Sequence, residues 1–178
     1  MSDAKEDADC LSYCRQHGSR RFEAPTFLLG TGPAGNMYAS VVDLGKFMSC
    51  LFRNGKYEGG QILSEKSLAE MLSPVKDKNG RPQSFGLGFM LQTLQGHKQI
   101  GHGGAVYGFS TQLEALPERK LGAAAVAAVD GSNGVVGRIA EYALELMLAR
   151  KDGRPLPEYR TTTTVAPERA KEIAGLYT

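Results

Sequence analysis

The sequence predicts an α+β fold in which an antiparallel sheet of about four strands is flanked by helices. Strand-like runs crowd into residues 85–129, joined by connections too short for the dozen or so residues that a parallel crossover needs. Helical periodicity brackets that block on both sides. With 42% apolar and 22% charged residues over 178 positions, the chain can bury one ordinary core.

Residues 1–36 show weak periodicity, and Gly30-Thr31-Gly32-Pro33-Ala34-Gly35 reads as coil, so this leader is expected to be irregular. Ser40 then has the character of an N-cap with acidic Asp43 three residues on, and Leu44, Phe47, Met48, Leu51 and Phe52 follow at helical spacing. The pattern predicts a helix over 41–53, closed by Gly55, with Cys50 beside the core. A second helix is expected from Ser64, where Leu63 and Leu68 can close a hydrophobic staple and Met71 and Leu72 continue the apolar face. It must end before Pro74. Asp77-Lys78-Asn79-Gly80-Arg81-Pro82 is turn material.

Strands are placed near 85–94, 97–101, 108–116 and 121–129, with Pro117-Glu118-Arg119-Lys120 as the tight link between the last two. A long helix fits 134–150, with Val136, Ile139, Ala140, Ala143, Leu146 and Met147 as its sheet-facing stripe. Gly153 and Pro155 stop it, a Thr-rich stretch follows, and Pro167 opens a short helix running to about Ala174. The chain divides into a leader (1–36), a main unit (37–152) and a linker with a short helix (153–178).

The net charge of +2 arises from interspersed charges of both signs rather than a basic stripe, so nucleic acid is not an expected partner. Cys10, Cys14 and Cys50 form no Cys-x-x-Cys pair, and of the three histidines only His17 stands near a cysteine, Cys14, too few ligands for a zinc pattern, so neither a metal site nor a cofactor is expected. One bridge from Cys10 to Cys14 or Cys50 stays open. His17 and His97 read as surface residues, and Met37, Met48, Met71, Met90 and Met147 as core fillers. The acidic start lacks a secretory signal, and the longest apolar stretch, from Leu121 to Val129, falls far short of the roughly 20 residues that span a bilayer. The expectation is a soluble chain whose compartment, cytoplasm or (for a longer form) periplasm, is left open.

Chemical content concentrates in Gly101-His102-Gly103-Gly104-Ala105-Val106-Tyr107-Gly108, where glycines let a backbone or a ligand approach closely. By itself this is also the pattern of a Gly-rich turn carrying a solvated histidine. The order of motifs around it resembles the penicillin-recognising serine hydrolases: class C β-lactamases, penicillin-binding DD-peptidases and their esterase relatives. The similar segments are Ala34-Gly35-Asn36-Met37-Tyr38-Ala39-Ser40-Val41-Val42-Asp43-Leu44, then Ile62-Leu63-Ser64, Phe85-Gly86-Leu87-Gly88-Phe89, His102-Gly103-Gly104 in the place of the family's Lys-Thr-Gly or His-x-Gly motif, Gly108-Phe109-Ser110 and Pro117-Glu118-Arg119.

The resemblance implies a partial β-lactamase/transpeptidase-like fold and acyl transfer to water through a serine acyl-enzyme. It implies that His102 lies on an inner strand beside the reacting centre, that Gly104 shapes the approach, and that the N–H of Ala105 helps to bind the oxyanion. Gly103 has no hydroxyl to hold a substrate carboxylate, which favours an ester or amide over a β-lactam as the small-molecule substrate. Tyr107, like Tyr38, reads as a packing or cleft-rim residue.

The family's nucleophile lies in Ser-x-x-Lys at a helix start. Ser2-Asp3-Ala4-Lys5 and Ser73-Pro74-Val75-Lys76 match the letters, but neither begins an apolar helix, and Ser73 reads as a helix-end residue. Tyr-x-Asn is absent. The expectation is therefore a piece of a serine hydrolase that is inactive alone, its missing motifs upstream and its Ala166–Tyr177 segment leading towards a further domain. The competing expectation is a non-catalytic binding module that takes a peptide or partner chain along the Gly-rich strand edge, and an exposed edge also allows oligomers.

Overall fold

The computed structural model describes residues 13–15, 21–24, 30, 32–159, 161 and 164–175. Cys10, His17, Ser2 to Lys5 and Leu176-Tyr177 lie outside them, as does the side chain of Cys14, so the bridge left open between Cys10 and Cys14 falls outside the described residues; Cys50 is a free, buried thiol.

The leader holds more order than expected. Strands β1 (Tyr13–Arg15) and β2 (Arg21–Glu23) pair antiparallel, and α1 (Gly32–Gly35) is a single turn. Elements of three or four residues are too short for a period to show in sequence.

Helix α2 (Val41–Phe52) begins as its sequence predicts: Ser40 Oγ accepts from the Asp43 N–H at 3.1 Å and donates to the Asp43 carboxylate at 2.8 Å. At its far end Gly55 (φ +80°) donates its N–H to Cys50 O at 2.9 Å, and a Cβ there would lie 2.1 Å from the Leu63 carbonyl oxygen. A minimal hairpin, β3 (Lys56–Tyr57) with β4 (Gly60–Gln61), leads to α3 (Glu65–Met71), capped by Ser64 Oγ accepting from Ser67 N–H at 3.0 Å. Asp77 Oδ1 accepts from the N–H groups of Asn79 and Arg81, which closes the expected turn.

Four antiparallel strands follow in the spatial order β5-β6-β7-β8, with β5 at Met90–Leu94, β6 at His97–Val106, β7 at Phe109–Leu116 and β8 at Leu121–Ala127. The antiparallel sheet is the one expected, but two boundaries move. Residues 85–89 are not strand: Leu87 N–H donates to Met71 O at 2.9 Å, and Gly86 sits where a Cβ would lie 2.1 Å from that oxygen, so this segment docks on the end of α3. Strand β6 runs on to Val106 rather than stopping near 101. Its glycines carry no strand signal, yet an unbroken register with β7, from Ile100↔Ala115 to Val106↔Phe109, holds them extended.

Helices α2 and α3 cover one face of the sheet, where Met48, Leu51, Leu68, Leu72 and Phe89 pack with Ile100, Leu113 and Ala115. Helix α4 (Asn133–Lys151) covers the other, where Leu144 and Leu148 meet Leu94 and Leu116. Its buried stripe is Val136, Ala140, Leu144 and Leu148, four apart; Val136 and Ala140 are as expected, but Leu144 and Leu148 stand in place of Ala143, Leu146 and Met147, and Ile139 is 49% exposed. Two further expectations fail: Met37 is 87% exposed rather than core, and His97 is half-buried, its Nε2 3.3 Å from Arg119 Nη1. Arg119 also pairs with Asp152, the residue that caps α4, and this joins the β7–β8 link to the helix end. Helix α5 (Pro167–Ile173) is exposed throughout. Among the described residues, no helix is long and apolar enough to cross a membrane.

Candidate functional site

The residues singled out in sequence, His102, Gly103, Gly104, Ala105 and Tyr107, fall on the second half of β6 and the hairpin that follows it. Strand β5 reaches only to the pair Met90↔Gly101, so from His102 onward β6 is laddered to β7 alone. Thus, among the described residues, β6 is an inner strand as far as Gly101 and has a strand partner on one side alone beyond it.

Two glycines make this edge possible. A Cβ on Gly101 would lie 2.5 Å from the Leu113 carbonyl oxygen, and one on Gly104 would lie 2.4 Å from Thr111 Oγ1. Only a backbone without side chains lets β6 and β7 approach as they do. Gly103 is less demanding, because its nearest obstacle is the movable end of Gln112.

His102 pairs directly with Leu113 and so projects on the face covered by α2 and α3, where its ring is exposed. Nδ1 lies 2.6 Å from the Gly103 carbonyl oxygen. A carbonyl only accepts, so this nitrogen carries the proton, and in the neutral ring Nε2 keeps the lone pair. Phe85 stands edge-on to the imidazole at 6.0 Å and 78°, so the loop that docks on α3 also flanks the histidine. Ala105 is exposed, and Tyr107, 62% exposed, occupies the hairpin tip with Gly108 at φ +82°.

Sequence reasoning missed the neighbours behind the strand. Asn133, the first residue of α4, donates from Nδ2 to the Gly104 carbonyl oxygen at 2.8 Å. Beside it, the buried Ser110 accepts the Ser132 N–H at 2.9 Å and donates to Val129 O at 3.0 Å. On that same face Glu114 is buried and accepts from Gln99 Nε2 at 2.9 Å and Gln112 Nε2 at 3.1 Å. Burial pushes its carboxyl above the ordinary range; the Gln112 bond opposes this, Glu141 adds to it and Gln99 opposes it. A shallow depression lined by Gln92, Gln99, Gly101, Gln112 and Glu114 lies on this side, away from His102.

Ser73 Oγ donates to Ala69 O at 2.7 Å just past the end of α3, as expected of a helix-end residue. Among the described residues, no group of three or more His, Cys, Asp or Glu side chains is arranged to hold a metal ion.

A family profile described as Beta-lactamase matches residues 2–148. Among solved structures, the octameric penicillin-binding protein homologue from Pyrococcus abyssi is similar at 25% identity and a TM-score of 0.63, over 81% of this chain and 31% of that one. A crystal structure of SurE is similar in fold at 20% identity and a TM-score of 0.50, over 88% of this chain and 36% of that one. The chain therefore spans about a third of the length of these structures. No curated protein matches it.

Proposed function

The chain belongs to the beta-lactamase family, and on that premise we propose that it forms one wall of an acyl-transfer site whose serine nucleophile is carried by another segment. In this reading residues 37–152 carry that wall. The observation that carries it is the open half of β6. There an exposed imidazole, with Nδ1–H engaged and Nε2 left to accept, stands three residues from Ala105 on a strand edge that has no strand partner among the described residues.

A serine Oγ facing that edge attacks the substrate carbonyl while its proton passes to the lysine of Ser-x-x-Lys. The oxyanion is held by the Ala105 N–H, the leaving group departs with a proton, and water then hydrolyses the acyl-enzyme. His102 hydrogen-bonds the substrate or relays a proton. Gly103 lacks a hydroxyl for a substrate carboxylate, which favours small esters and amides over β-lactams, and Tyr107 lines the rim.

The test pairs the chain with a segment carrying Ser-x-x-Lys and Tyr-x-Asn, with p-nitrophenyl acetate and nitrocefin as probes. The chain alone should hydrolyse neither, the pair should hydrolyse the ester, and His102→Ala should lower kcat/KM of the pair by about 10²-fold. Turnover by the chain alone that disappears in Ser73→Ala would contradict the reading.

Self-association is a second proposal, favoured by β8. Among the described residues its outer edge has no strand partner, and its sequence, Leu-Gly-Ala-Ala-Ala-Val-Ala, holds none of the charges or prolines that usually protect an edge. Sedimentation should find oligomers, and Ala125→Lys should shift them towards monomer.

A further inference from the structure

We infer that Asn133 is a positioning residue for the oxyanion site: its side-chain amide orients and polarises the one peptide unit that presents the Ala105 N–H. The inference rests on the acyl-transfer reading above and adds to it a residue on a different element, 29 positions away.

The Gly104 carbonyl and the Ala105 N–H belong to one planar trans peptide, so they point in opposite directions and turn together. Asn133 Nδ2 holds the carbonyl end at 2.8 Å. The pair Val106↔Phe109 closes a two-residue turn and is hydrogen-bonded, so by antiparallel alternation the Gly104 carbonyl faces β7, where Asn133 at the start of α4 also reaches it, and the Ala105 N–H faces away from β7. Beyond Gly101, β6 has lost one of its two neighbours, and two of the residues before Ala105 are glycines. A stretch laddered on one side and rich in glycine is less firmly held than one laddered on both, and the anchor falls within it.

The root of the anchor is rigid. Ser110, fully buried and paired directly with Ala105, accepts the Ser132 N–H and donates to Val129 O, so the first residues of α4 are fixed to the strand beside the one they steady. A donor on the carbonyl also draws charge from the far side of the peptide, which makes its N–H a better partner for an anion. An oxyanion forms only as the carbonyl is attacked, so a better-aimed N–H accelerates the chemical step more than it tightens substrate binding.

Two substitutions separate positioning from simple structural support. Asn133→Ala deletes the donor. Asn133→Asp replaces it with an acceptor of the same size in the first turn of a helix, where a carboxylate is favoured, so α4 should be no less stable while the anchor is lost. In the isotope-labelled chain, the Ala105 amide resonance should move upfield in both variants, and a through-hydrogen-bond coupling from Asn133 Nδ2 to the Gly104 carbonyl carbon should be present only in the parent. In the chain paired with the Ser-x-x-Lys segment, kcat for p-nitrophenyl acetate should fall about tenfold to a hundredfold in both, with KM within about twofold. The inference is overturned by an Ala105 resonance that does not move, by an unchanged kcat, or by a loss confined to KM. It is also overturned if Asn133→Asp keeps full activity because α4 is intact. A parent pair that turns nothing over overturns the acyl-transfer reading and this inference with it, whatever the resonance does.

Discussion

At the scale of single residues, glycine and a buried carboxylate decide how the sheet can carry a site. Gly101 meets backbone, not a movable side chain, so Gly101→Val must push β6 and β7 apart; urea unfolding should show a loss of about 1–3 kcal/mol. Glu114 sits across the pair from it. Because burial raises the folded carboxyl above its ordinary value of 4.5, the folded state holds that proton to higher pH than the unfolded chain does. Its contribution to stability is therefore greatest below the ordinary value and is lost as pH rises through the raised one. Glu114→Gln, which never ionises, should be more stable than the parent near neutral pH, with the advantage shrinking in acid, as thermal melts across pH will read. Asp152 has the opposite sign. The Arg119 hydrogen bond holds its carboxyl below 3.8, so its contribution is present above that value and lost as pH falls through the lowered one.

Among the elements, the legible ones are those whose determinants are local. Ser40 and Ser64 announce α2 and α3 because a cap and its bond lie three residues apart, and the Asp77 turn closes on its own carboxylate. Strand β6 was legible only to Gly101, since its later residues take extended form from pairing with β7 and carry no apolar alternation of their own. The stripe of α4 is legible at Val136 and Ala140 but not in the second half, where apolar residues stand at 143, 144, 146, 147 and 148 and contact with the sheet selects 144 and 148. Leu144 has no exposed surface in that stripe, so Leu144→Ala should cost about 2–5 kcal/mol in chemical denaturation. His102 was legible as a candidate from its glycines, whereas Asn133 carried no signal, because its partner lies on a strand 29 residues earlier.

For the whole molecule, the sheet packs helices on both faces, and among the described residues β5, β6 beyond Gly101 and β8 each have a side without a strand partner, the last two with different characters. The β6 edge is short, glycine-rich and bordered by an imidazole; the β8 edge is longer, apolar and small in side chain. The β6 edge is proposed to receive a substrate and the β8 edge a neighbouring chain. The claim that unites them is that this chain supplies a wall and an oxyanion donor while the attacking hydroxyl comes from elsewhere. Mass spectrometry of peptides from the paired chains, after reaction with a fluorophosphonate that labels activated serines, reads this most directly. The account predicts an adduct on the serine of the added Ser-x-x-Lys segment, weakened by His102→Ala, and none on this chain. An adduct on Ser73, formed by the chain alone, would contradict it.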